Sequence, residues 1–149
     1  MKNIGAILIL SIFILTGCGN ENISNNSSAS NKIDLSQSKN GTYSAESSRD
    51  DKLGYGRLTL TIDNKKIIDA KFVGVDLFGE DKGENYGSIF GKDSADYKKA
   101  QIAVQANTIY AEQLIETQSL EKVDAISGAT ISYNQFVESA KIAVANSTK

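Results

Sequence analysis

The sequence contains no histidine and a single cysteine, and these scarcities exclude several kinds of functional site. Histidine is the usual general base near neutral pH and the commonest metal ligand, so Ser-His pairs, Cys-His pairs and zinc sites are excluded. Because Cys18 has no partner, no intramolecular disulfide can form. Any redox function therefore depends on a bound cofactor. The formal net charge of −2 gives no indication of nucleic-acid binding.

Long apolar runs are also scarce, since the only one lies at the start of the chain. Lys2 precedes a nearly continuous apolar run from Ile4 to Leu15. A helix needs about 20 apolar residues to span a bilayer, so this shorter run is typical of a signal peptide and not of a permanent transmembrane helix. We interpret residues 1–17 as the signal peptide.

The apolar run ends in Leu15-Thr16-Gly17-Cys18, which resembles the lipobox of bacterial lipoproteins. The resemblance implies that the Cys18 thiol receives a diacylglyceryl group, with fatty acids such as palmitate, and becomes the mature N-terminus after cleavage. Two acyl chains on one residue anchor a protein stably, where one chain is marginal. We therefore expect a protein that is lipid-anchored on the extracytoplasmic face of the cell membrane. The alternative is that Cys18 is only a small apolar residue of the signal peptide.

Part of the signal peptide has a second resemblance. Residues 11–17, "SIFILTG", are similar to the short apolar peptides that some Gram-positive bacteria release from lipoprotein signal sequences as mating pheromones. The simpler interpretation of the same letters is the ordinary apolar region of a signal peptide. An assay of the synthetic peptide on plasmid-bearing recipient cells distinguishes the two.

Residues 18–40 begin with Cys18 and continue as a segment dominated by Asn and Ser, with scattered apolar residues. Such a composition buries too little apolar surface to form a core, so we predict a flexible tether. A flexible chain of this length extends over roughly 25 Å on average. The remaining residues, 41–149, are ordinary in number for one domain with one core.

The first half of this domain predicts three strands. Residues 41–47, "GTYSAES", read as a short strand. The segment "GRLTLTI" alternates apolar and polar residues with the period of a half-buried strand. The polar turn "DNKK" and the returning strand "IIDAKFVGV" complete a β-hairpin over residues 57–75. The loop that follows, residues 76–94, carries several acids, but they lack the spacing of a calcium-binding loop.

The second half predicts two helices. Ser94 can cap a helix from Ala95 to about Glu116. Its apolar residues at helical spacing, which we predict to pack in the core, are Tyr97, Ala100, Val104, Ala111 and Ile115 or Leu114. A second helix is predicted after Ser132, because "SYNQ" has the form of a capping box. The predicted fold class is α+β: a small antiparallel sheet with a β-hairpin packed against two main helices.

The loop that precedes the second helix contains Ser127-Gly128-Ala129-Thr130. Gly128 allows a backbone geometry that other residues resist, and Ala129 keeps the surface open, so Thr130 can present its hydroxyl beside the start of a helix. Helix N-termini attract anions through their unpaired N–H groups and the helix dipole. A threonine hydroxyl at such a place could also be esterified to a phosphate.

Asp124-x-x-Ser127-Gly128-Ala129-Thr130 resembles the flavinylation motif of FMN-binding domains. These domains occur in subunits of sodium-translocating NADH:quinone reductases and in flavin-carrying bacterial lipoproteins, and the similarity covers about residues 41–145. It implies that a magnesium-dependent flavin transferase uses FAD to attach FMN covalently, through its phosphate, to Thr130. Asp124, Ser127, Gly128 and Ala129 would form the sequence that the transferase recognises. The alternative is a simple turn into a helix capped by Ser132.

The resemblance implies an electron carrier and not an enzyme. Its single FMN would receive electrons from a membrane redox donor such as a quinol-linked dehydrogenase, in extracellular electron transfer. Tyr86, Phe90 and Tyr133 are candidate contacts of the flavin ring, but ordinary packing explains each of them equally well. A different class of function is a flavin-free surface lipoprotein that acts as a binding module or adhesin. Such a protein would purify colourless from a host that has the transferase.

Overall fold

The computed structural model describes residues 31–149, which form an antiparallel sheet and two long helices. The strands are β1 (Gly41–Glu46), β2 (Tyr55–Asp63) and β3 (Lys66–Val75), in the spatial order β1-β2-β3. The helices are α1 (Ala95–Thr117) and α2 (Thr130–Ser147), with short 3₁₀ turns at Ser88–Phe90 and Leu120–Lys122. The predicted α+β fold, with its hairpin and two main helices, is confirmed.

The hairpin is closed by a two-residue turn. Asp63 pairs with Lys66, and the intervening Asn64 and Lys65 have φ angles of 48° and 63°. Two left-handed residues in succession match the right-handed twist of the flanking strands. The alternation that predicted β2 places three aliphatic side chains in the core: Leu58, Leu60 and Ile62.

An aromatic cluster joins the sheet to both helices. The Phe136 ring of α2 lies 5.2 Å from the Phe72 ring of β3 and 5.6 Å from the Tyr110 ring of α1, measured between centroids. The Phe72 and Phe136 rings meet edge to face, which is a favoured geometry for aromatic pairs. Tyr110 and Phe136 are fully buried, so this cluster fixes α1 and α2 on the same face of the sheet.

Residues 31–40, which are predicted to belong to the tether, lie against the domain. Ile33 and Leu35 pack on the core cluster. Ser38 is fully buried and accepts a hydrogen bond of 2.7 Å from the Ser147 hydroxyl at the end of α2. Two well-placed aliphatic side chains therefore hold a segment whose average composition is polar. Residues before Gly41 thus contribute to the domain, because packing depends on which residues are apolar and not only on how many.

The predicted signal peptide (1–17), Cys18 and residues 19–30 lie outside the described residues. Within the part of the chain that the structure describes, no helix has the length and apolar composition needed to cross a bilayer.

The two helices begin differently. Ser94 Oγ accepts a hydrogen bond of 3.1 Å from the Tyr97 amide, so α1 starts as predicted. The prediction for α2 is wrong: the helix begins at Thr130, and no side chain caps it. Ser132 lies inside the first turn, because the Tyr133 amide already donates to the Ala129 carbonyl at 2.9 Å. The helix therefore begins three residues before the capping-box pattern indicates.

Candidate functional site

A cleft of about 780 Å³ opens between the loop of residues 76–94, the first half of α1 and the start of α2. Tyr86, Ile89 and Phe90 contribute apolar surface from the loop, and Ala100 and Val104 contribute it from α1. The volume is within the usual range for a small-molecule or cofactor site, roughly 300 to 1,000 Å³. We call this space the cleft.

The cleft exists because the loop, and not the sheet, covers the first half of α1. The Tyr97 hydroxyl donates to the Glu84 carbonyl at 2.8 Å, and the Gln101 amide donates to the Tyr86 carbonyl at 2.9 Å. Tyr97, Ala100 and Val104 are therefore half-buried, and the last two line the cleft. Their predicted place in the core is wrong, whereas the predicted burial of Ala111 and Leu114 is confirmed.

Three of the five motif residues line the cleft: Gly128, Ala129 and Thr130. Gly128 has a φ of +87°, a left-handed conformation that favours glycine. Ala129 is buried, and Thr130 is exposed as the first residue of α2. Because no side chain caps α2, its first N–H groups remain available to an anion beside Thr130.

The other two motif residues, Asp124 and Ser127, are exposed and do not line the cleft. The Asp124 amide donates to the Gln113 side chain at 2.8 Å, which ties the start of the loop to α1. Their carboxylate and hydroxyl therefore lie on the outer surface, where another protein can reach them.

A buried tyrosine holds the motif loop in place. The Tyr110 hydroxyl accepts a hydrogen bond from the Ile126 amide at 3.2 Å and donates to the Ala129 carbonyl at 3.3 Å. Burial raises the pKa of the Tyr110 phenol above its ordinary value, which keeps the donating proton in place. Sequence reasoning missed Tyr110, although a hydroxyl within the apolar pattern of a helix is a signal that a polar partner must be close.

Replacing Tyr110 with phenylalanine is expected to lower the free energy of unfolding by about 1 to 2 kcal/mol, because the partly buried Ile126 amide loses its acceptor. Urea denaturation measures the loss, and amide hydrogen exchange should quicken at Ile126. Tyr133→Phe is the matched control, since the Tyr133 hydroxyl accepts only a long bond of 3.5 Å from Asn31. Equal losses in the two variants would contradict the assigned role of Tyr110.

One basic side chain is fixed at the wall of the cleft. The Lys82 ammonium donates to the Leu53 carbonyl and lies 4.8 Å from the centroid of the Tyr86 ring. Burial lowers the pKa of Lys82, while Asp76 and Asp50 act in the opposite direction. A second lysine, Lys99, also lines the cleft.

Two amide side chains supply further polar groups. The Gln135 amide donates to the Gly54 carbonyl at 3.1 Å. The buried Asn107 amide, in the orientation that satisfies both its neighbours, donates to Ala103 O at 3.2 Å and accepts from Gly74 N at 3.1 Å. Across residues 31–149, no group of three or more acidic or cysteine side chains is arranged to hold a metal ion.

Comparison with known protein families gives a match to the FMN-binding domain over residues 54–145. This match spans more than half of the chain. The chain belongs to the FMN-binding domain family. A search of curated proteins finds no match.

Two solved structures resemble this FMN-binding domain. A crystal structure of a protein from Clostridium perfringens has 25% sequence identity and a TM-score of 0.58, covering 74% of this chain and 88% of that chain. A solution NMR structure of a protein from Clostridium thermocellum has 23% sequence identity and a TM-score of 0.42. The match covers 74% of this chain and 93% of that chain. The first supports the fold of the domain.

The residues of the cleft fit FMN. Tyr86, Ile89 and Phe90 offer a partly apolar, partly aromatic wall suited to a flat ring system. The uncapped start of α2 suits a phosphate, and Thr130 is the exposed hydroxyl beside it. Of the aromatic residues considered from sequence, Tyr86 and Phe90 line the cleft, whereas Tyr133 packs against Tyr110 with ring centroids 5.5 Å apart.

Proposed function

We propose that this FMN-binding domain carries one FMN joined through its phosphate to Thr130 and relays electrons on the outer side of a cell membrane. The observation that carries the proposal is the position of Thr130, which combines an exposed hydroxyl, an uncapped helix start and a wall of the cleft. The family match supports the cofactor, and the Asp124 to Thr130 motif supports the mode of attachment.

The attachment is a phosphoryl-group transfer without any redox change. The Thr130 oxygen forms a bond to the phosphorus of the FMN half of FAD, the bond to the AMP half breaks, and the hydroxyl proton is lost. A magnesium-dependent flavin transferase supplies the catalytic groups, so the domain only has to present Thr130. The exposed Asp124 and Ser127 are available for recognition by that transferase.

Once FMN is bound, the cofactor supplies the electron-transfer chemistry and the protein supplies position and electrostatics. The cleft is partly open to solvent, so a ring held there stays close to solvent and to partner proteins. The chain has no histidine, and Cys18 is its only thiol, so the common acid, base and nucleophilic groups of an enzyme are scarce. An electron carrier is therefore favoured over an enzyme, with a quinol-linked dehydrogenase of the membrane as the donor.

The test of the cofactor proposal is the intact mass of the protein expressed with and without a flavin transferase. Co-expression should add the mass of FMN less one water, and the product should be yellow. An unchanged mass and a colourless protein would overturn the proposal and favour a flavin-free binding module or adhesin.

The anchoring proposal concerns Cys18. Replacing Cys18 with alanine is expected to leave the protein unlipidated, because the Cys18 thiol is the proposed site of acylation. Metabolic labelling with a fatty-acid probe, followed by fractionation of the cells, measures this. Labelling of the variant as strong as that of the wild type would contradict the proposal.

A further inference from the structure

Lys82 is held at the cleft by three neighbours. Its aliphatic chain lies over Gly74, since a Cβ atom added to Gly74 would lie 3.1 Å from Lys82 Cδ. Its ammonium donates to the Leu53 carbonyl and lies 4.8 Å from the centroid of the Tyr86 ring. These contacts come from β3, from the turn before β2 and from the loop, so the Lys82 side chain is held by three separate segments of the domain.

The charge of Lys82 is not neutralised by a carboxylate in direct contact. Lys82 forms no ion pair with another described residue, and the nearby Asp81 is already paired with Arg57. Asp76 and Asp50 act on Lys82 only over a longer range, and they favour its charged form. Lys82 is thus a half-buried cation at the wall of the space where the flavin ring fits.

We propose that Lys82 raises the reduction potential of the bound flavin by stabilising the negative charge that reduction creates. The inference rests on the proposed function, because it requires FMN in the cleft. Delivery of two electrons and one proton by the donor would leave one net negative charge on the flavin, which the Lys82 ammonium would stabilise. A half-buried ammonium at the wall of the cleft stabilises that charge more than a fully solvated ammonium does, and it stabilises the neutral oxidised ring far less.

The test is a redox titration of the flavinylated protein and of its Lys82→Met variant. Methionine keeps an unbranched chain over Gly74 and removes the charge. We expect the equilibrium constant for reduction to fall about tenfold, which is about 30 mV for a two-electron couple. Lys82→Arg should restore most of the wild-type potential, which a purely structural role of the side chain does not predict.

Lys71→Met is the matched control, since Lys71 is an exposed lysine of β3 that does not line the cleft. We expect the reduction potential of the flavin in Lys71→Met to equal that in the wild type. A wild-type potential in Lys82→Met, with the FMN mass present, would overturn the inference and leave the proposed function intact. If Lys82→Met does not fold, Lys82→Gln in the same titration decides the matter in the same way. Failure of the wild type to acquire FMN would instead overturn the proposed function.

Discussion

Replacing Thr130 with valine is expected to abolish the covalent attachment of FMN while the domain stays folded. Valine has nearly the same shape as threonine but no oxygen that can bond to phosphorus. Thr130 is exposed at the first position of α2, so the change in the free energy of unfolding should stay within about 0.5 kcal/mol. Intact mass after co-expression with the flavin transferase measures the attachment, and urea denaturation measures the fold.

Ser127→Ala and Ser132→Ala are the controls for the choice of hydroxyl. Ser127 is exposed outside the cleft, and Ser132 lines it from the first turn of α2. Both variants should keep an FMN on Thr130, although Ser127→Ala should acquire it more slowly if the transferase recognises that side chain. Tandem mass spectra that place the adduct on either serine would show that Thr130 is not the acceptor.

The same Thr130→Val substitution tests the electron-carrier proposal in cells. At matched protein levels, the variant should lower the reduction of extracellular ferric iron or of an electrode relative to wild type. Equal currents would contradict the proposal for that organism, provided that no second flavinylated lipoprotein replaces this one. Because the fold is kept, a lower current can be assigned to the lost flavin and not to a lost protein.

Replacing Gly54 with alanine is expected to lower the free energy of unfolding by about 2 to 5 kcal/mol. A Cβ atom at this position would lie 2.1 Å from Val75 O and 2.7 Å from the Asp76 carbonyl carbon, both of them backbone atoms. Overpacking of this kind costs about 1 to 3 kcal/mol or more. The left-handed φ of +72° adds about 1 to 2 kcal/mol. Domains are stable by only about 5 to 15 kcal/mol, so much of the stability would be lost.

Gly79→Ala separates the two contributions. Gly79 also has a left-handed φ, of +90°, but no atom lies within 4 Å of the added Cβ. The free energy of unfolding of Gly79→Ala should therefore fall only by the cost of the backbone strain, about 1 to 2 kcal/mol. Urea denaturation of both variants gives the difference, and similar losses would contradict the clash at Gly54. Because the Gly54 carbonyl accepts from Gln135, the first variant should also disturb the cleft.

Local patterns in the sequence determined most of the secondary structure. The alternation at Leu58, Leu60 and Ile62 produced β2 as predicted, and Ser94 starts α1. These features depend on residues that are neighbours along the chain, so their spacing carries the necessary information. The prediction failed at the start of α2, where the hydrogen bond from Tyr133 to Ala129 outweighs the capping pattern at Ser132.

The motif that marks Thr130 is also local, and it indicated the candidate acceptor without knowledge of the surroundings. The long-range contacts that hold the motif loop and the wall of the cleft were not predictable from sequence. Tyr110 bonds to a residue 16 positions away, and Lys82 bonds to the Leu53 carbonyl 29 positions away. Neither partner follows from periodicity, because a pattern shows that a residue faces inward but not which atom it meets.

The sequence by itself therefore determined the strands, the helices apart from the start of α2, and the candidate acceptor Thr130, since each depends on short-range spacing. Only the tertiary structure decided that Ala100 and Val104 line a cleft instead of the core, because the loop of residues 76–94 covers that half of α1. Only the tertiary structure decided that Ile33 and Leu35 pack on the domain. In both cases the burial of an apolar side chain depends on which distant surface folds against it, and that surface is set by the whole chain.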